Sequence, residues 1–260
     1  MQINKIYNED CFVTMQRMID DNVKANIVLT SPPYNTGRNS FSENKTERMK
    51  NHETRYDIYL ENKTVEEYTN WTVDIFNSYD KVLAENGVIL YNMSYGNENA
   101  EQLWLTIAEI IKRTNFTVAD CIVWKKKSAL PNNVSSNKLT RICEYVFVIC
   151  RKSEYKTFQC NKKVKSFSKT GQKYYENIYN FVEAKNNDGA NNLNKATFSS
   201  ELCVKLLDMY SRSDDIVYDS FMGTGTTAVA CLTFDDLSYI GSELSAEQCE
   251  FAKDRISQMR

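Results

Sequence analysis

The sequence has one histidine, His52, and it lacks long apolar runs, any CxxC pair and a strong excess of charge of either sign. One histidine and eight singly scattered cysteines give no recognisable zinc-ligand spacing, so we expect no metal site. The longest apolar runs, such as residues 146–150, are far shorter than the roughly 18 residues of a membrane helix, so no span is predicted. The first residues, including Lys5 and Asp10, do not form a basic stretch followed by an apolar one. We therefore expect a cytoplasmic protein without a signal peptide.

The composition suits one sizeable α/β domain with an insertion. The chain has 260 residues, of which 42% are hydrophobic and 25% charged, so it can bury a core. A net charge of −2 excludes a protein that coats nucleic acid over its whole surface, so any binding patch must be local. Between residues 151 and 173 the only acidic residue is Glu154, a pattern typical of nucleic-acid binding but also of a solvated loop. The basic residues there are Arg151, Lys152, Lys156, Lys162, Lys163, Lys165, Lys169 and Lys173.

Strand-like and helix-like periodicities alternate along the chain, which predicts a mainly parallel sheet with helices on both faces. A first strand at 26–30 ends before two prolines, which cannot donate to a sheet ladder. A helix begins near Val65, and Asn86-Gly87 is predicted to be its C-terminal stop. The remaining predicted strands are 88–93, 117–124, 142–150, 216–218 and 237–240, and the remaining helices are 100–114, 198–210, 228–234 and one that Ser245 and Gln248 cap. Residues 38–57 and 152–195 have little periodicity and are expected to be a mobile loop and an insertion outside the core.

Gly223-Thr224-Gly225-Thr226-Thr227 follows a predicted strand and precedes a helix, as in a nucleotide-binding turn where glycines let the backbone approach the ligand. Glu243 lies 18 residues after Gly225 (243 minus 225), just past the next strand. A carboxylate at this place can accept hydrogen bonds from ribose hydroxyls. A packing-driven glycine turn and a solvent-facing glutamate are the alternatives.

The position of this turn discriminates between cofactors. Only 35 residues follow Gly225 (260 minus 225), too few for the strands and helices that a conventional dinucleotide fold places after its first glycine loop. A nicotinamide oxidoreductase is therefore disfavoured. We expect the sheet to be completed by strands that precede the turn in sequence, which is a circularly permuted arrangement.

Ser31-Pro32-Pro33-Tyr34 lies at the C-terminal end of the first predicted strand, the edge at which open α/β sheets bind ligands. The amino group of a nucleobase is a poor nucleophile, and acceptors that hold its N–H bonds favour its reactive form. The Ser31 hydroxyl and the Pro32 carbonyl are suitable acceptors, since the prolines fix the direction of that carbonyl. Tyr34 can stack on a base that has been pulled out of the duplex. A proline turn that merely closes the strand is the alternative.

Taken together, Ser31-Pro32-Pro33-Tyr34 and the downstream Asp219-x-Phe221-x-Gly223-x-Gly225-Thr226-Thr227 resemble the amino-methylating DNA methyltransferases of the β arrangement. The resemblance covers nearly the whole chain. It implies an S-adenosylmethionine-dependent methyltransferase fold (α/β, Rossmann-like), S-adenosylmethionine as cofactor and double-stranded DNA as substrate. The resemblance is also compatible with a cognate restriction endonuclease as a partner and with a homodimer.

The same resemblance implies a role for further residues. Glu9-Asp10-Cys11 resembles the family's segment near the cofactor adenine, and Ala196-Thr197-Phe198 resembles the segment that packs on its methionine part, although Asn194, Lys195 and Ser199 replace the histidine and prolines of many members. The implied catalytic residues are Ser31, Pro32, Pro33 and Tyr34. The implied cofactor-binding residues are Asp10, Cys11, Thr197, Phe198, Asp219, Phe221, Gly223, Gly225, Thr226, Thr227 and Glu243.

The resemblance also divides the chain. Residues 1–151 would form the catalytic part of the core, 152–195 the target-recognition insertion and 196–260 the cofactor-binding part. Serine at position 31 accompanies cytosine N4 methylation more often than adenine N6 methylation, so cytosine is preferred and adenine is the alternative. Methylation of RNA or of a protein amide, and a nucleotide-binding module that binds the cofactor without forming product, are alternatives from other classes.

Overall fold

The structure is a computed structural model that describes residues 1–35, 63–95, 99–129, 131, 133, 135–189 and 198–259. The predicted loop at 38–57 lies outside these residues. The strands are β1 (Lys5–Tyr7), β2 (Ala25–Thr30), β3 (Leu83–Met93), β4 (Phe116–Lys126), β5 (Cys143–Arg151), β6 (Val164–Phe167), β7 (Lys173–Tyr175), β8 (Phe181–Ala184), β9 (Ile216–Asp219) and β10 (Ser238–Ser242). The helices are α1 (Cys11–Asp20), α2 (Val65–Val82), α3 (Glu101–Arg113), α4 (Ser200–Tyr210), α5 (Thr226–Cys231) and α6 (Ala246–Ser257), and Lys152–Glu154 forms a 3₁₀ turn.

Within the described ranges, eight strands form one sheet in the order β1-β10-β9-β2-β3-β5-β4-β8. Five neighbouring pairs are parallel, and the two antiparallel pairs both involve β5, so the prediction of a mainly parallel sheet is confirmed. β9 lies between β2 and β10, and β1 follows β10 at the edge. Strands from the two ends of the sequence therefore alternate in the sheet, as the permuted arrangement requires.

Helices cover both faces of the sheet, and alternation along the strands explains why. Ile27 and Leu29 of β2 point into a cluster with Leu202 and Leu206 of α4. Val28, between them in sequence, belongs to the opposite cluster, which contains residues of α1, α2 and α3. Successive side chains of a strand point to opposite faces, so an uninterrupted apolar run is what a strand buried on both faces needs. No helix of the described residues is long and apolar enough to cross a membrane.

Helix α2 ends at Val82, so the prediction that Asn86-Gly87 ends it is wrong. Leu83 has extended dihedral angles (φ −76°, ψ 134°), is buried and pairs with Ala25 in the sheet. Asn86 has a positive φ of 57°, and the register of the β2–β3 pair shifts next to it. A Cβ on Gly87 would lie 2.9 Å from the Asn26 carbonyl oxygen. The Asn-Gly pair therefore lies at a bulge inside a strand, where Asn86 adopts the positive φ and Gly87 leaves room for the Asn26 carbonyl.

The stretch 152–195 contains two different structures. β6 and β7 form a separate antiparallel hairpin in which every strand residue is exposed. β8, in contrast, pairs with β4 as the last strand of the main sheet and buries Val182 and Ala184. Residues 181–184 thus belong to the core sheet, although the surrounding sequence has little periodicity.

Candidate active site

Four neighbouring parallel strands, β1, β10, β9 and β2, end at the same edge of the sheet. β3 and β4 also end there, and β5 begins there because it runs in the opposite direction. The residues at these strand ends include Asp10, Glu243, Asp219 and Ser31. The carboxyl edge of an open α/β sheet is where ligands bind. The candidate cofactor and catalytic residues are therefore brought to one edge.

Asp219, the last residue of β9, is fully buried and joins the two motifs. Its carboxylate accepts hydrogen bonds from the Thr30 hydroxyl (2.7 Å), the Thr227 hydroxyl (2.6 Å) and the Phe221 backbone N–H (3.0 Å). Burial raises the pKa of this carboxyl to about 6, although the three hydrogen bonds oppose the rise. Because Thr30 directly precedes Ser31, Asp219 connects the candidate catalytic motif to the glycine turn.

The glycine turn between β9 and α5 has the backbone conformation that its glycines allow. Gly223 and Gly225 have positive φ values of 53° and 82°. A Cβ on Gly225 would lie 2.8 Å from the Cβ of Ala252 on α6, so close helix packing also requires this glycine. The Gly223 N–H donates to the Glu243 carboxylate at 2.7 Å, and the Ser245 N–H donates to the other oxygen at 2.8 Å. The glycine turn and Glu243, the two parts of the candidate cofactor motif, are thus in direct contact.

These residues fit a ribose-bearing cofactor. Two backbone N–H groups fix the Glu243 carboxylate at the sheet edge, and each of its oxygens can accept a further hydrogen bond from a ribose hydroxyl. Gly223 has no side chain to obstruct a ligand beside this carboxylate. S-adenosylmethionine, when bound, supplies an activated methyl group on a positively charged sulfur.

Several other candidate cofactor residues have structural contacts of their own. Asp10 caps helix α1 by accepting from the Phe12 N–H at 2.8 Å, and Cys11 is buried, which raises the pKa of its thiol. The Phe221 ring packs against Trp71 of α2 at 5.6 Å between centroids. Thr226 is buried, and its hydroxyl lies 3.3 Å from the Arg255 guanidinium. Phe198 is also buried and packs in the core cluster that includes Met222, and Thr197 lies outside the described residues.

The candidate catalytic motif, residues 31–34, directly follows β2. Pro32 and Pro33 are buried, and Ser31 and Tyr34 are half-buried. The Tyr68 hydroxyl of α2 donates to the Pro33 carbonyl at 2.9 Å. Within the described part of the chain, no such bond involves the Pro32 carbonyl, which keeps this acceptor available for a substrate. The Ser31 and Tyr34 hydroxyls lie 3.0 Å apart.

Three polar residues that sequence reasoning missed surround these hydroxyls. Tyr34 donates to the Glu144 carboxylate at 3.0 Å, and the Asn92 amide nitrogen donates to the Tyr34 oxygen at 2.6 Å. Lys126 forms an ion pair with Glu144. All three lie at or next to the ends of strands, and the apolar residues of those strands dominate the local sequence pattern. Their position at the same sheet edge as Ser31 follows from the strand order and not from a local motif.

The chain belongs to a family of DNA methyltransferases. Residues 25–254 match the family model N6_N4_Mtase, described as DNA methylase, and this match spans most of the chain. Members of the family transfer a methyl group from S-adenosylmethionine to an amino group of DNA. The resemblance inferred from the two motifs, and the cofactor that it implied, are confirmed.

Individual DNA methyltransferases are similar to this chain over nearly its full length. The Type II methyltransferase M.BglII of Bacillus subtilis is 25% identical over 276 residues, which cover 98% of this chain and 69% of the relative. The crystal structure of the M1.HpyAVI-SAM complex has a TM-score of 0.61 at 21% identity and covers 97% of this chain and 98% of its own. The PvuII DNA methyltransferase (cytosine-N4-specific) has a TM-score of 0.66 at 16% identity and covers 98% of this chain and 90% of its own. The predicted methyltransferase fold is thus confirmed.

Proposed function

We propose that the protein is a site-specific DNA methyltransferase that transfers the methyl group of S-adenosylmethionine to the exocyclic amino group of a flipped base, with cytosine N4 as the preferred acceptor. The observation that carries this proposal is the buried hydrogen bond between Thr30 and Asp219. It holds Ser31, the first residue of the catalytic motif, beside the glycine turn that contacts Glu243. The proposed site of the base, which accepts the methyl group, therefore lies beside the proposed site of S-adenosylmethionine, which donates it.

The residues of the catalytic motif divide the work between them. The Ser31 hydroxyl and the Pro32 carbonyl accept the two N–H bonds of the base and align the amino nitrogen with the sulfonium methyl group. The Tyr34 ring stacks on the base. Transfer is a direct displacement, so proximity and orientation supply much of the catalysis and no covalent enzyme intermediate is needed.

The target-recognition region is proposed to lie within residues 152–195, apart from the core strand β8, between a catalytic part (1–151) and a cofactor-binding part (196–260). Its β6–β7 hairpin is a two-stranded antiparallel ribbon, a shape that the major groove of DNA admits. Its lysines can hold phosphates, while the exposed aromatic residues Phe167 and Tyr174 can contact base edges or sugars. The type II name of M.BglII supports a cognate restriction endonuclease as a biological partner.

The choice of base depends on Ser31, and adenine N6 is the alternative. Plasmid DNA methylated by the protein, digested to nucleosides and analysed by mass spectrometry, should contain N4-methylcytosine. N6-methyladenine instead would move the assignment to adenine while leaving the reaction class intact. The absence of both, with an RNA or protein acceptor labelled by tritiated cofactor, would overturn the DNA assignment.

The role of the catalytic motif is tested by Ser31→Ala. This substitution should reduce methyl transfer by at least about a hundredfold, because the amino group loses an acceptor, while S-adenosylmethionine still binds. Ser257→Ala, on the exposed end of α6, is the matched control and should keep full activity. Unimpaired turnover by Ser31→Ala would remove this motif from the catalytic site.

A further inference from the structure

A cluster of polar side chains continues from the catalytic motif into the protein. Glu144 stands at the start of β5 and Lys126 at the end of β4, and the two form an ion pair. The side chain of Glu144 is only 13% exposed. Its second oxygen accepts the hydrogen bond of Tyr34. A shielded carboxylate is thus connected to the hydroxyls that face the candidate base site.

The protons of this cluster have a defined direction. Tyr34 has one hydroxyl proton and donates it to Glu144 at 3.0 Å. In the 3.0 Å contact between Ser31 and Tyr34, the donor must therefore be Ser31. This arrangement leaves the Ser31 oxygen to accept an N–H of the base. A continuous chain of hydrogen bonds leads from Ser31 through Tyr34 to Glu144.

Asn92 holds this chain in place. It is buried, and its amide nitrogen lies 2.6 Å from the Tyr34 oxygen, 3.2 Å from Glu144 and 3.4 Å from Ser31. Its side-chain oxygen is buried without a hydrogen-bond partner among the described residues. An unpaired buried acceptor is costly, so the cluster can accept one more hydrogen bond when a substrate enters.

We infer that Glu144 is the terminal acceptor of the proton that the base amino group releases on methylation, an inference that rests on the proposed function. When the N–CH₃ bond forms, the S–CH₃ bond breaks and its electron pair stays on sulfur, so the amino nitrogen carries a positive charge and one proton too many. That N–H bond breaks and its electron pair returns to nitrogen. The proton passes to the Ser31 oxygen, the Ser31 proton to Tyr34, and the Tyr34 proton to the Glu144 carboxylate. Lys126 remains paired with this carboxyl group throughout and positions it.

Single-turnover methyl transfer by Glu144→Gln tests the inference. The amide can still accept from Tyr34 but cannot take a proton, so the rate should fall by about 10². The pH–rate profile of the wild-type enzyme should have an acid limb that Glu144→Gln lacks, a difference that a merely structural role would not produce. S-adenosylmethionine affinity should be unchanged in both. Glu109→Gln, which removes an ion pair with Lys112 on α3, is the matched control and should behave as wild type.

Tyr34→Phe gives a second route that leaves the Glu144–Lys126 ion pair intact. It keeps the aromatic ring but interrupts the chain of hydrogen bonds, so its rate should fall similarly, and the double variant should be little slower than either single variant. A Glu144→Gln rate within twofold of wild type, or a slow variant with an unchanged acid limb, would overturn the relay. If either of these results were obtained while Ser31→Ala still lost activity, the relay would be rejected and the proposed function would be retained. Full activity of Ser31→Ala would contradict both the proposed role of the catalytic motif and the relay.

Discussion

Two glycines with the same φ angle allow the cost of that angle to be distinguished from the cost of close packing. Gly225 and Gly171 both have a φ of +82°. A Cβ on Gly225 would meet Ala252 at 2.8 Å, whereas a Cβ on Gly171, in the β6–β7 turn, would have nothing within 4 Å. The same unfavourable φ is therefore combined with a close helix contact at one position and with open space at the other.

Gly225→Ala should consequently destabilise the protein more than Gly171→Ala. The positive φ alone costs a residue with a Cβ about 1–2 kcal/mol, and overpacking against α6 should add about 1–3 kcal/mol. The free energies of unfolding in urea measure both changes. Equal losses for the two variants would show that α6 yields without cost and that packing does not require Gly225.

At the level of residues, sequence reasoning identified those with a local signal. The strand–turn–helix pattern singled out both Gly223 and Glu243, which are 20 residues apart and form a hydrogen bond in the structure. Glu144 lies 110 residues from Tyr34, and an acidic residue at the start of an apolar strand has no distinguishing neighbours in sequence. Only the antiparallel direction of β5 places it at the active edge. Partners of this kind depend on topology, which local patterns do not specify.

At the level of elements, the β6–β7 hairpin forms a sheet of its own outside the core of the described residues. All its strand residues are exposed, and its base is closed by the hydrogen bond from the Glu176 N–H to the Lys163 carbonyl at 3.0 Å. Replacing residues 164–175 by Asn-Gly would join Lys163 to Glu176 through a tight turn that suits antiparallel strands.

This deletion should separate DNA binding from the rest of the activity. Cofactor affinity and the midpoint of thermal unfolding should stay close to wild type, whereas DNA affinity should fall at least about tenfold. The plot of log affinity against log salt should become shallower by up to about 3, because Lys165, Lys169 and Lys173 are lost. Fluorescence anisotropy with labelled duplex measures both quantities. The triple replacement of Lys81, Lys112 and Lys253 by Gln matches the charge change elsewhere, and an equal loss of affinity in it would contradict a local role.

Element types were predictable where periodicity is strong, and boundaries were not. The apolar spacing predicted α2 from Val65, and the structure agrees, but the Asn-Gly signal is ambiguous between a helix end and a strand bulge. The buried pairing of Leu83 with Ala25 decides between the two. β8 has four residues, too few to show a period, and is a strand because β4 offers it an edge.

For the molecule as a whole, Asp219 is the buried link between the first and last parts of the chain. Its folded-state pKa of about 6 is above the ordinary value of 3.8, so the folded protein binds more protons than the unfolded chain between these values. The contribution of Asp219 to the free energy of unfolding is therefore greatest below pH 3.8, and it is lost as the pH rises to about 6. Glu201 has the opposite pH dependence. Lys127 and Lys205 lower its pKa to about 2, so its contribution to stability is present at neutral pH and is lost as the pH falls toward about 2.

The free energy of unfolding should decrease by about 2 kcal/mol between pH 4 and pH 7 because of Asp219 alone. Asp219→Asn cannot ionise, so the difference between wild type and variant should follow this slope while the other carboxyl groups cancel. Urea titrations across this pH range provide the measurement. A difference that is independent of pH would mean that Asp219 does not change its ionisation on folding.

The place of β9 and β10 between β2 and β1 also affects how the protein is made. The ribosome delivers β1 and β2 long before β9 and β10, the strands that lie between them in the sheet. Until then the apolar edge of Ile27 and Val28 lacks the β9 backbone that will cover it, a state that invites mispairing with other chains. Contacts between such distant segments close slowly. This edge of the sheet therefore forms only after β9 and β10 have been synthesised, and until then the nascent chain lacks the glycine turn and Glu243.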